Sequence, residues 1–248
     1  MSDRLDVGAV IRRVFEIYVD QAPVLLPASA VVFVISGIVA SVLVSAGPGA
    51  ALIAFLISFV AGALFTGMIV ELVADVQDGR RDHSASQLLK AIGPVLGQLL
   101  SVAVLAAIGI GVGFTLIVVP GLILLTIWAV VAPVVVLERP GVLASFGRSR
   151  QLVRGNGWQT FGVVLVLAVL VEVVAAIVDV AAESASTGVG IVVRVVLGVL
   201  IGPLSALAAA VLYFELRRLH GGAAIDTGMA RAGAVESDFG SPDPPTSA

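Results

Sequence analysis

The stretch Val95–Leu137 reads VLGQLLSVAVLAAIGIGVGFTLIVVPGLILLTIWAVVAPVVVL, and it contains no charged side chain. A helix needs ~20 mostly apolar residues to cross the hydrocarbon core of a bilayer, so the stretch is long enough for two crossings. Near its middle lies Val119-Pro120-Gly121, which is typical of a tight turn. We therefore predict two spans, Val95–Val118 and Gly121–Leu137, that form a helical hairpin.

Four more apolar stretches have the length of a span, and they lie on both sides of this hairpin. They are Val24–Ser45, Gly49–Leu72, Phe161–Ala182 and Val189–Phe214. All are continuously apolar and lack the alternation of barrel strands, so helices are expected. The whole chain agrees, with 59% hydrophobic and 12% charged residues against about 25% charged in soluble domains. The fold class predicted is an all-α, polytopic membrane bundle of about six transmembrane helices.

The basic residues predict the orientation of the bundle. The loops after the first, third and fifth spans (Gly47–Pro48, Val119–Pro120 and Glu183–Gly188) contain no Lys or Arg. The opposite side holds Arg4, Arg12, Arg13, Arg80, Arg81, Lys90, Arg139, Arg148, Arg150, Arg154, Arg217 and Arg218. Because Lys and Arg accumulate in cytoplasmic loops, both termini are expected in the cytoplasm. The predicted location is a bacterial-type cytoplasmic membrane, which the chain crosses several times.

The residue inventory excludes several classes of function. The net charge of −3 gives no reason to expect a nucleic-acid partner. Cysteine is absent, which rules out disulfides, Fe–S clusters and thiolate metal sites. The two histidines, His83 and His220, both flank spans, so neither a paired-histidine zinc site nor an intramembrane Ser–His dyad is available. We expect no cofactor, no metal and no enzymatic activity.

An internal threefold pattern divides the predicted membrane domain, residues 1–220. Three amphipathic segments each precede a pair of spans, and each is expected to lie in the membrane interface. The units are about 5–75, 84–137 and 141–220. The residues that form one face of each amphipathic segment are Val7, Val10, Ile11, Val14, Phe15 and Tyr18, then Ala85, Leu88, Leu89 and Ile92, then Val142, Phe146, Ser149 and Val153. Duplication is one explanation, and the general amphipathic character of loops before spans is the other. Residues 221–248, rich in Gly, Ala, Ser, Asp and Pro, predict a disordered cytoplasmic tail.

Charged residues within predicted spans are candidates for function, because each costs ~2.5–3.5 kcal/mol to insert. Glu172 and Asp179 lie in the fifth span and Arg194 enters the sixth. We predict an intramembrane ion pair between Arg194 and one of the two acids. Such a pair can lock the third hairpin, or it can take part in moving protons or solutes.

Three arginines before the fifth span, Arg148, Arg150 and Arg154, are the candidate contacts for lipid headgroups. The anionic inner leaflet attracts such residues by about 1 kcal/mol each. Topology alone also accounts for them. Two GxxxG pairs, Gly109–Gly113 and Gly198–Gly202, predict close helix packing within the chain, with dimerisation as the alternative. Pro133 and Pro203 should kink their spans, with neighbouring groups bonding the freed carbonyls.

One set of motifs resembles a known family, the glycerophosphoryl diester phosphodiesterase membrane-domain family and related bacterial membrane proteins. The resemblance covers about 40 residues well and is structural rather than catalytic. Its residues are Val119-Pro120-Gly121, Trp128, Ala132-Pro133, Val136-Leu137-Glu138, Ser145-Phe146-Gly147-Arg148-Ser149, Leu152-Val153, Gly155-Asn156, Trp158 and Tyr213-Phe214-Glu215-Leu216-Arg217. In that family a separate soluble barrel carries the phosphodiesterase activity, and this chain has no counterpart of the barrel. The resemblance implies membrane architecture, and at most a connection with lipid or glycerophosphodiester metabolism.

Together these features predict a non-enzymatic membrane module that associates with lipid headgroups or a protein partner, including a second copy of itself. The alternative is a small transporter or channel that uses Glu172, Asp179 and Arg194.

Overall fold

The computed structural model describes residues 4–44, 48–78, 92–183 and 187–239. Within these ranges, nothing is described for the side chains of 40–41, 44, 48, 178–179, 181–183, 187–188, 191, 194 and 221–239. Every regular element in these ranges is a helix, and the α-helices are α1 (Val7–Asp20), α2 (Ala22–Val44), α3 (Pro48–Gln77), α4 (Leu96–Leu116), α5 (Val118–Ile127), α6 (Val131–Pro133), α7 (Val142–Val153), α8 (Gly157–Glu183) and α9 (Thr187–Phe239). A 3₁₀ turn, Gly93–Val95, leads into α4, and a π-helical turn, Val134–Glu138, follows α6.

Six helical segments of the described chain are long and apolar enough to cross a membrane, in agreement with the six predicted spans. They are Ala22–Val39, Gly49–Gln77, Gly93–Leu116, Val118–Glu138, Gly157–Ile177 and Val195–His220. The fourth is not one regular helix, because α5, α6 and the π-helical turn follow one another along it. The chain is thus an all-α, multi-pass membrane bundle.

The predicted hairpin of the third and fourth spans is confirmed, but its turn is not at Val119-Pro120-Gly121. The chain reverses at Ile117, whose backbone is extended (φ −158°, ψ 144°). Pro120 lies in the first turn of α5, where a missing N–H costs no helical hydrogen bond. Gly121 is needed for close packing instead: a Cβ there would lie 2.5 Å from the ring of Phe114.

Both GxxxG pairs pack inside the chain, as predicted. On Gly109–Gly113, a Cβ at the first glycine would lie 2.5 Å from the ring of Trp128. On Gly198–Gly202, a Cβ at the second would lie 2.4 Å from the ring of Phe33. Each pair is therefore covered by an aromatic ring from a neighbouring span of the same chain.

Two carbonyls just before Pro203 are bonded from two neighbouring helices. Proline has no N–H, so the carbonyl of Val199, four residues earlier, loses its helical donor. The buried Ser29 of α2 donates its hydroxyl to that carbonyl at 2.9 Å. The Tyr18 hydroxyl of α1 donates to the next carbonyl, of Leu200, at 2.8 Å. Burial raises the pKa of Tyr18, so this hydroxyl keeps its proton at neutral pH. The prediction that neighbours satisfy the freed carbonyls is confirmed here.

Helix α1 is covered by protein on its apolar side, and its predicted location in the membrane interface stays a prediction. Val10, Val14 and Ile17 are buried, whereas the predicted Phe15 is 39% exposed. The segment around Leu5 borders Leu219 near one end of the bundle, and Tyr18 reaches Leu200. Helix α1 therefore runs antiparallel along α9, because α9 offers an apolar face that lipid would otherwise cover.

The repeated order of elements agrees in part with the three predicted units. Helix α1 precedes the α2–α3 hairpin, and α7 precedes the α8–α9 hairpin. The amphipathic segment predicted before α4 lies outside the described residues except for Ile92, which is buried. Division into three duplicated units stays a prediction.

The end of the chain differs from the predicted tail over part of its length. Helix α9 continues past Gly221 to Phe239, and residues 240–248 lie outside the described ranges. Alanine is the strongest helix former, and it recurs at 223, 224, 230, 232 and 234. The first proline beyond the helix is Pro242, so no residue before it forces the helix to stop.

Replacing Ser29 with alanine should lower the melting temperature in detergent. The Val199 carbonyl would lose its donor, and a buried unsatisfied group costs about 1–3 kcal/mol. In a Pro203→Ala background the backbone N–H at 203 can serve that carbonyl, so Ser29→Ala should then cost clearly less. Ser205→Ala, at an exposed hydroxyl, is the control. An equal loss from Ser29→Ala in both backgrounds contradicts the assignment.

Candidate functional site

The chain reverses between the fourth span and α7 through a strained turn. The N–H of Arg139 bonds the carbonyl of Val134 at 3.2 Å, which closes the π-helical turn. Arg139 itself has φ 52°, a left-handed conformation that is uncommon for residues other than glycine. Gly141 follows with φ 97°, where glycine has no steric penalty. This turn brings α7 back alongside the span that precedes it.

Glu138 binds two elements together at the end of that span. Its Oε2 accepts a hydrogen bond from Nε of Arg148 on α7 at 2.7 Å. Its Oε1 accepts one from the hydroxyl of Tyr213 on α9 at 3.0 Å. Tyr213 is fully buried, and Arg217 approaches its hydroxyl at 3.5 Å. We call Glu138, Arg148 and Tyr213 the Glu138 cluster.

The Glu138 cluster supplies a partner for the charge of Arg148. The hydrogen bond to Glu138 raises the pKa of Arg148 above its ordinary value. The guanidinium pairs with a carboxyl group of the same chain. Arg148 is one of the three headgroup candidates predicted from the sequence, and in the structure its hydrogen bond to Glu138 holds α7 to the bundle.

Helix α7 is also held by a hydroxyl at the break in the fourth span. Helix α5 ends at Ile127, and the N–H of Val131 bonds the Trp128 carbonyl instead of the Ile127 carbonyl. Ser149, which is buried, donates its hydroxyl to the Ile127 carbonyl at 2.8 Å. The ring of Phe146 packs edge-on against Trp128 at 4.9 Å. One face of α7 is thus occupied by contacts with the fourth span.

The exit from α7 is fixed by Asn156. Its side-chain oxygen accepts a hydrogen bond from the N–H of Leu5 at 3.1 Å, in a buried setting. Its carbonyl accepts from the N–H of Thr160 in the first turn of α8 at 2.9 Å. Gly155, with φ 92°, supplies the left-handed residue that this change of direction requires. The N-terminal segment, α7 and α8 therefore meet at one residue.

The opposite face of α7 is open, and it carries Arg150 and Arg154. Both arginines are exposed. Leu143, at 78% exposure, shares this side of α7. Trp158, at 83% exposure, lies in the first turn of α8, beside a groove along α5. We call Leu143, Arg150 and Arg154 the open face. Cationic and apolar groups side by side are typical of surfaces that meet the headgroup region of a bilayer.

Of the three residues of the predicted intramembrane ion pair, Glu172 is the one whose side chain the structure describes. Glu172 is exposed on α8 and lines a groove of about 410 Å³ between α4, α5, α8 and α9. The side chains of Asp179 and Arg194 lie outside the described residues. Pairing of Arg194 with either acid stays a prediction.

The described residues show no metal site. No group of three or more His, Asp or Glu among them is close enough to share an ion. His220 has Nδ1 2.9 Å from the carbonyl of Leu216 in its own helix. Its ring is therefore engaged within α9.

The chain was compared with family models, curated proteins and solved structures, and no match was found in any of the three comparisons.

Sequence reasoning named the members of the Glu138 cluster only as parts of a motif, and it missed their contact. Glu138 and Tyr213 are 75 residues apart, and no periodicity links them. One signal was available: a glutamate ends one span, and a tyrosine with an arginine four residues later ends another, both on the side of the bundle that is rich in basic residues.

Replacing Tyr213 with phenylalanine should lower the melting temperature more than Tyr18→Phe does. Tyr213 donates to a carboxylate from a fully buried position, and hydrogen bonds to charged groups contribute about 1.5–3 kcal/mol. Tyr18 donates to a neutral carbonyl, a bond of about 0.5–1.5 kcal/mol. Thermal unfolding of both variants in one detergent measures the difference. A Tyr213→Phe protein as stable as the parent would show that the cluster is not a stabilising contact.

Proposed function

We propose that this chain is a non-enzymatic membrane module that binds anionic lipid headgroups through the open face of α7. The observation that supports the proposal is the division of α7 into two faces. One face is fixed to the bundle by Ser149 and Arg148. The other presents Arg150 and Arg154 on a rigid support.

The chemistry of the open face favours a phosphate ligand within a bilayer. Guanidinium groups bind phosphate oxygens through paired, charge-assisted hydrogen bonds. Tryptophan concentrates at membrane–water interfaces, where Trp158 would lie beside the headgroups. A protein partner or a second copy is the competing occupant of this face. Lipid is favoured because the face combines two arginines with the exposed Leu143, and Trp158 is exposed nearby along the chain, so that a bilayer covers these apolar groups without any further protein.

The proposed orientation places this face at the inner leaflet of a bacterial-type cytoplasmic membrane. The basic residues lie with the termini and α7, and the inner leaflet carries anionic lipid. The resemblance to glycerophosphodiester phosphodiesterase membrane domains supports a function connected with lipid metabolism. It supports no catalytic role, since the resembling motifs are structural.

A transporter or channel is the second candidate, because Glu172 exposes a carboxyl to a groove within a predicted span. In that case Glu172→Gln should leave the fold intact and abolish proton or solute flux into liposomes. The headgroup proposal predicts no flux in the parent protein.

Replacing Arg150 and Arg154 together with glutamine should weaken binding to liposomes that contain anionic phospholipid by roughly 30-fold, because each arginine contributes about 1 kcal/mol near such a surface. The loss should shrink as salt rises, since screening weakens these contacts. The matched control is Arg217→Gln with Arg218→Gln, the same charge change on α9. Equal losses from both double variants would indicate a nonspecific effect of net charge.

Reporter fusions test the orientation. Fusions at 45–49 and 183–188 should report the outside, and fusions at 82 and after 248 should report the cytoplasm. A single robust inversion contradicts the six-span topology with both termini inside.

A further inference from the structure

We propose that the groove lined by Glu172 and Trp128 is a binding site for a hydrophobic organic cation. The site is separate from the open face of α7, and the inference does not depend on headgroup binding. The groove lies where the α4–α5 hairpin meets the α8–α9 hairpin. Its walls include Trp128, Val164, Leu167, Glu172, Ser205 and Leu212.

The size and lining of the groove suit a small amphiphile. Its volume of about 410 Å³ falls within the ~300–1,000 Å³ of ordinary ligand sites. Such sites are mostly apolar, with a few polar groups that fix the ligand. Here Glu172 and Ser205 provide the carboxyl and hydroxyl groups, and aliphatic side chains form most of the remaining wall.

The sign of the ligand's charge follows from the lining. Among the described residues around the groove, Glu172 is the only charged side chain, and no Lys or Arg lines it. In this proposal Asp179, and not Glu172, is the partner of Arg194, so that the Glu172 carboxylate is left for the ligand. An anion would then meet repulsion in the groove. A cation balances the Glu172 carboxylate, in surroundings where charges attract more strongly than in water. Trp128 adds an indole ring, the aromatic group that attracts cations best.

The position of Trp128 is fixed before any ligand binds. Its ring edge lies against Gly109, where a Cβ would come within 2.5 Å, and Phe146 packs edge-on against it. Gly109 therefore makes room for the indole beside the groove. A wall that is already ordered loses little conformational entropy on binding.

The experiment uses the chain's own tryptophan as a reporter. The sequence has two tryptophans, and Trp158 is highly exposed, so Trp158→Phe leaves Trp128 as the sole emitter. This purified variant, in a neutral detergent, is titrated with tetraphenylphosphonium and, separately, with tetraphenylborate. The two ions have nearly the same shape and opposite charge.

Tetraphenylphosphonium should change Trp128 emission saturably, and tetraphenylborate should not. Glu172→Gln should weaken tetraphenylphosphonium binding at least tenfold, whereas Glu172→Asp, which keeps the charge, should stay within about threefold of the parent. Glu215 pairs with Arg218 outside the groove, so the Glu215→Gln variant should bind the cation like the parent.

Two results overturn the inference. One is equal binding of the two ions by the parent, which would indicate a purely apolar groove filled by lipid chains. The other is a folded Glu172→Gln protein that binds the cation as tightly as the parent. If Glu172→Gln does not fold, the comparison of the two ions on the parent and on Glu172→Asp decides the question.

Discussion

Backbone carbonyls released inside an apolar span must find donors within the protein, because lipid offers none. Two such carbonyls govern how the described helices fit together. Pro203 releases the Val199 carbonyl, and Ser29 of α2 bonds it. The break after Ile127 releases another, and Ser149 of α7 bonds that one. Each break therefore joins one helix to another that is distant in sequence.

The second of these bonds determines what α7 can do. Ser149 bonds the broken span and Arg148 bonds Glu138, and these two contacts hold α7 with Arg150 and Arg154 exposed on its other side. Arg148 pairs with Glu138, and we therefore assign the proposed ligand to Arg150 and Arg154. The break in the fourth span thus provides the carbonyl that anchors α7. The anchored helix in turn presents the proposed headgroup surface.

Hydropathy predicted the spans well because each carries its own apolar run, and length alone separates spans from other helices. The GxxxG pairs also predicted close contacts correctly. The turn at Ile117 was misplaced because Pro120 and Gly121 suit the first turn of a helix as well as a loop. Burial of α1 was missed, since an amphipathic face looks the same whether lipid or α9 covers it. The Glu138 cluster joins three distant parts of the chain, and a single sequence carries no local pattern for such a contact.

The most direct test of the docked α7 is hydrogen–deuterium exchange of the protein in lipid nanodiscs. Amides of Ser149–Val153 should exchange as slowly as those within the spans, because their helix is packed and not free at the surface. Ser149→Ala should speed exchange across α7 and leave α8 and α9 unchanged. Rapid exchange of α7 in the parent protein, or no response to Ser149→Ala, would contradict the anchoring of this helix to the broken span.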